Sequence, residues 1–130
     1  RRGCAMSVIA ALAFTALMVA LAVFQLALIA GAPLGHFAWG GADRVLPRGK
    51  RIGSVVSIGL YALFATVVLQ RAELVALLPG PIVDVGIWVI VAYSAIGIVM
   101  NGISRSKPER NTMVPVCVAL TVLSVLVAIA

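Results

Sequence analysis

Charge is what this chain lacks most: only 11% of its 130 residues are charged, with 4 Asp and Glu against 10 Lys and Arg. Soluble domains carry roughly 25%, so a soluble globular fold is excluded. A single histidine, His36, and two cysteines, Cys4 and Cys117, are too few and too widely spaced for a zinc or iron site or a disulfide framework. Paired acids, a metal-ligand cluster and an activated nucleophile are all missing. This predicts a protein that is not an enzyme, with no catalytic residue, metal ligand or cofactor. No ionisable residue falls near the middle of a hydrophobic run, where proton relays and ion-coupled carriers place one. An autonomous pump is therefore not expected.

The space between the charges is apolar. Hydrophobic residues make up 63% of the chain, and its mean hydropathy is +1.18. Charge-free gaps run from Arg2 to Asp43, Arg51 to Arg71, Asp84 to Arg105 and Arg110 onward. Each holds about the 20 residues that a helix needs to cross a bilayer. The predicted fold is all-α, one domain over residues 1–130. It is a transmembrane four-helix antiparallel bundle, with helices over about 7–30, 47–78, 83–103 and 112–130. The apolar run from Ala5 to Ala32 far exceeds the roughly 7 to 15 residues of a signal-peptide core, so it is expected to remain as a helix. Met6-Ser7 would make a natural start, which puts the place of residues 1–5 in the mature protein in question.

Glycine and proline punctuate the runs. Gly31-Ala32-Pro33 should end helix 1, because proline lacks a donor and disfavours helical geometry before it. Beyond it, Leu34, Phe37 and Ala38 recur at helical spacing and Trp39 suits the headgroup zone. A short interfacial helix after helix 1 is predicted. Pro47 suits the first turn of helix 2, Pro79-Gly80-Pro81 makes a tight turn, and Asn101-Gly102 closes helix 3. Pro115 is expected in the first turn of helix 4. Arg71 should snorkel and Glu73 face water at the far end of helix 2.

The first and third loops hold Arg44, Arg48, Lys50, Arg51, Arg105, Lys107 and Arg110, against Arg1, Arg2 and Arg71 on the other side. By the positive-inside rule, loops 1 and 3 are cytoplasmic and both termini lie outside. Membrane helices associate through small and polar residues, so such stripes should mark interiors. Helix 1 carries Ser7, Ala11, Thr15, Met18, Ala22 and Gln25, and helix 2 carries Ser54, Ser57, Tyr61 and Ala65. Helix 3 carries Gly86, Tyr93, Gly97, Asn101 and Ser104, and helix 4 Cys117, Thr121, Ser124 and Ala128. Gln25, Tyr61, Tyr93 and Asn101 are the polar residues expected inside the bundle. Gln25 in particular should find a hydroxyl or backbone partner, because an unpaired amide in hydrocarbon is costly.

The strings Gly31 to Gly41, Leu46 to Ile52 and Asn101 to Arg110 resemble an uncharacterised group of small bacterial four-helix integral membrane proteins. The resemblance implies a bacterial cytoplasmic membrane and no activity.

The strongest cluster for binding is the basic rim. His36, Trp39, Arg44, Arg48, Lys50 and Arg51 from loop 1, with Arg105, Lys107 and Arg110 from loop 3, could converge on an anionic lipid headgroup or an acidic partner. The basic residues are split between short loops, so nucleic acid is not an expected partner. His36 is expected to be interfacial or structural, and Asp43 and Glu109 to be ion-paired or solvated in flexible loops. Two functions are consistent with these features. One is a non-enzymatic accessory or scaffold subunit, with its apolar faces available to other membrane-protein subunits. The other is an oligomeric binder or transporter of an anionic lipid or a small molecule.

Overall fold

The computed structural model describes residues 4–130. It contains four long helices: α1 (Ala5–Ile29), α2 (Arg48–Arg71), α3 (Gly80–Gly102) and α4 (Lys107–Ile129). Each is long and apolar enough to cross a membrane, and no strand occurs among the described residues. The chain is an all-helical, multi-pass membrane protein. The expectations for Arg1 and Arg2 lie outside the described residues.

Helix ends follow local chemistry more than proline. α1 stops where Gly31 adopts φ +92°, and the N–H groups of Gly31 and Ala32 donate back to the carbonyls of Leu28 and Ala27. This closes the last turn with a left-handed glycine. α2 ends the same way at Arg71, short of the expected 78. Glu73 takes the left-handed position at φ +64°, and Glu73 and Leu74 donate to Gln70 and Leu69. The side chain of Gln70 then holds the following loop. Its Oε1 accepts from the N–H groups of Leu77 (3.0 Å) and Leu78 (2.8 Å), and its Nε2 donates to the Leu78 carbonyl at 2.6 Å.

α3 starts at Gly80, because Pro81 fits a first turn whose N–H groups have no helical partner. α4 starts five residues ahead of the expected position, which leaves Pro115 inside the helix, where it removes the bond to the Asn111 carbonyl. In place of an interfacial helix, loop 1 forms two three-residue 3-10 turns, Gly35–Phe37 and Trp39–Gly41. Trp39, Gly40 and Gly41 have φ of +54°, +75° and +75°, and a run of left-handed residues cannot belong to a right-handed helix.

The dry core occupies one end of the bundle. Phe14 and Met18 of α1 meet Val67 and Val68 of α2, Ile87 and Ile90 of α3, and Leu120 and Val127 of α4. While Met18 and Leu120 also border the space at the other end, most lie towards the end that carries the Gln70 loop. There Arg71 ties three helices together, with Nη1 on Asp84 Oδ1 at 2.8 Å and Nη2 on the Ala128 carbonyl at 2.7 Å. Arg71 is thus packed and paired. α2 and α3 approach closely at Gly86, where an added Cβ would stand 3.3 Å from Val67 Cγ1. Their next contact is the edge-on pair Phe64 and Tyr93, with centroids 5.2 Å apart. Further along, α3 packs its small residues on α4, Gly97 against Cys117 and Gly102 against Val114. The end of the bundle nearer loops 1 and 3 holds a cavity.

Candidate binding cavity and its cover

The cavity has a volume of about 440 Å³ and is walled by all four helices and by loop 1. Its lining is mostly Leu, Met, Val and aromatic side chains, with Gln25, Tyr61, Ser94, Asn101 and Glu109 among its polar groups. Gln25 is 8% exposed. Its Nε2 donates to the Tyr61 hydroxyl at 3.2 Å, and its Oε1 is buried without a partner. Turning the amide over would give Tyr61 the oxygen and orphan the nitrogen. Either way, one end of a buried amide in the cavity wall has nothing to bond. Asn101 spends its N–H groups on the Gly97 carbonyl (2.7 Å) and Cys117 Sγ (3.4 Å), so Cys117 acts as a polar acceptor as well as a packing residue.

Tyr93 is not interior: it is 52% exposed. α3 buries Val83, Ile87, Ile90 and Ser94, a face turned by about one residue from the expected stripe. Tyr93, Ile96 and Met100 line the cavity while remaining exposed on the outside of the bundle, so the cavity opens sideways towards lipid. A second, apolar groove of about 290 Å³ shares Leu21, Phe24, Phe37, Met113 and Val116 with it.

Loop 1 covers the remaining end. The Ser106 hydroxyl donates to the His36 carbonyl, Glu109 Oε2 accepts from the Gly40 N–H at 3.5 Å, and Gly41 lies against Ser106 so closely that a Cβ would overlap it. Trp39 lies over Gly53, where a Cβ would come 2.7 Å from the indole ring. Ser106-Lys107-Pro108-Glu109 has the Ser-x-x-Glu spacing of a capping box, yet Ser106 makes no side-chain cap bond. Both residues reach across to loop 1 instead. Glu109 is therefore buried, 7% exposed, and neither solvated nor in a flexible loop; the Ser-x-x-Glu spacing was the signal that could have placed it. Replacing Ser106 with Ala should cost about 1 kcal/mol, the net worth of one hydrogen bond. Amide exchange should speed up over residues 35–41 with the helices unchanged; exchange spread evenly over the chain would contradict the cover.

The basic residues form a rim and not one clamp. Lys50 pairs with Asp43, Arg51 Nε donates to the Leu46 carbonyl at 2.8 Å, and Arg110 Nη1 donates to the Ser104 carbonyl at 2.7 Å. Arg44, Arg48, Arg105 and Lys107 are exposed. Loops 1 and 3 do meet, but through Ser106, Glu109 and the loop 1 backbone. The ring of His36 is half-buried and tilted against Phe37 at 4.4 Å, and Trp39 faces the cavity. Neither joins the arginines in any described contact. Compared with family models, curated proteins and solved structures, the chain matches none.

Proposed function

We propose that this is a non-enzymatic integral membrane protein that binds a lipophilic small molecule taken from the bilayer into the bundle. The observation that carries this reading is the unpartnered amide of Gln25 in the wall of a 440 Å³ cavity. That volume lies within the roughly 300–1,000 Å³ of small-molecule sites, and a buried amide end left unbonded costs about 1–3 kcal/mol unless a guest satisfies it. The sideways opening at Ile96 and Met100 supports uptake from lipid. This binding reading is preferred to the accessory-subunit reading, because the exposed apolar faces need only lipid to cover them. In a bacterial cytoplasmic membrane, with loops 1 and 3 on the cytoplasmic side, the exposed Arg44, Arg48, Arg105 and Lys107 would meet anionic headgroups. Their part is anchoring and orientation.

Native mass spectrometry of protein extracted with its membrane tests this. The wild type should retain a lipophile at one per chain, and Gln25→Leu should lose it about tenfold more readily, the effect of one buried hydrogen bond. A wild type released bare, or one that carries only bulk lipids in their membrane proportions, would refute binding.

A further inference from the structure

We infer that the cavity selects a neutral lipophile with a hydroxyl head over an acid or an amine with the same hydrocarbon. The inference rests on the binding reading above and adds the chemistry of the guest. The polar groups of the lining other than Glu109, among them Gln25, Tyr61, Ser94 and Asn101, are uncharged, and among the described residues no Lys or Arg lines it. A carboxylate head would therefore be buried without a counter-charge, which is strongly disfavoured. Among the described residues, the one charged group in the lining is Glu109, and it repels an anion further.

An ammonium head fares little better. Glu109 already accepts from the Gly40 N–H and lies in the first turn of α4, where the helix dipole offsets its charge. The same end of the bundle carries Arg44, Arg48, Arg105 and Lys107 exposed, which oppose a further cation. A hydroxyl has neither problem. It is donor and acceptor at once, so it completes Gln25 whichever way the amide is turned, whereas an ammonium could serve only the oxygen and a carboxylate only the nitrogen. The hydrocarbon would lie against Met18, Leu21, Phe64 and Leu120 and leave past Ile96 and Met100 into lipid.

A panel of heads on one chain length decides it. Trp39 and Trp88 are the two tryptophans, so Trp88→Phe protein in lipid nanodiscs leaves Trp39, in the cavity wall, as the reporter. It is titrated with dodecanol, dodecanoate, dodecylamine and dodecane while Trp39 emission is followed. Dodecanol should bind about tenfold more tightly than each of the others, and Gln25→Leu should bring dodecanol to the level of dodecane. If dodecanoate or dodecylamine binds as tightly as dodecanol, or if dodecane does, the hydroxyl preference is wrong while the cavity reading stands. If none of the four changes the emission, cavity binding itself fails. The panel needs no change at Gln25, so it decides the class even if Gln25→Leu does not assemble.

Discussion

Gly35→Ala should destabilise the protein by about 3 kcal/mol, at the upper end of what overpacking costs. Gly35 is buried within loop 1, and its N–H donates to the Arg44 carbonyl at 2.8 Å. A Cβ there would overlap the Asp43 carbonyl oxygen and stand 2.8 Å from that of Arg44. The obstacles are backbone atoms, which cannot rotate away as a side-chain tip can, so one of the two loop segments has to move. The small cluster of Leu28, Ala38 and Leu46 beneath the loop would open with it. Thermal unfolding in nanodiscs should show the loss, with Trp39 emission shifting at temperatures where the helices remain folded. Gly40→Ala is the control, since nothing lies within 4 Å of an added Cβ there and only the +75° φ is strained. Equal stability of Gly35→Ala and wild type would contradict the observed loop geometry.

Gln70→Ala should cost about 2 kcal/mol, because it removes three hydrogen bonds worth roughly 0.5–1.5 kcal/mol each, partly replaced by water at the bundle end. The loop over residues 72–79 would lose its anchor to the last turn of α2. Gln70→Glu keeps an acceptor for the N–H groups of Leu77 and Leu78 but sets a carboxylate oxygen against the Leu78 carbonyl in place of the donor, so part of the loss should remain. Protease cleavage or amide exchange within the loop reports the effect locally. Alanine and glutamate variants as stable as the wild type would show that the loop is held by other means.

Both sites bear on what was legible in the sequence. The charge-free gaps located all four helices, because a backbone crossing hydrocarbon must satisfy its polar groups internally and be clad in apolar side chains. Gln25 was legible for the same reason: an amide in that setting needs a hydroxyl, and Tyr61 supplies it. The stripe on α3 was not. Lipid-facing and core-facing residues are equally apolar there, so helical periodicity has little contrast, and Tyr93 shares the spacing of the small residues although it lies 52% exposed.

Loop 72–79 reads as a continuation of α2 in composition. The stop comes from Glu73 in a left-handed conformation that favours glycine, and from a side-chain clasp by Gln70 that no local propensity announces. The cover over the cavity was hidden in a similar way. Ser106 and Glu109 have the spacing to cap their own helix and are used across the molecule instead. The cavity itself belongs to no single segment: its wall is drawn from all four helices and loop 1, a property of packing that appears only in three dimensions.

The central claim is that the guest lies inside the bundle and not on its lipid-facing surface. A long-chain alcohol carrying a photoreactive diazirine, incorporated into nanodiscs with the wild-type protein and mapped by peptide sequencing after illumination, tests it most directly. Labels are expected on Met18 to Gln25, Tyr61 to Phe64, Ser94 to Asn101 and Met113 to Leu120, the segments that wall the cavity, and excess unlabelled alcohol should remove them. Labels concentrated on outward residues such as Ile9, Leu12, Val55 and Val85, and unaffected by competition, would contradict the account.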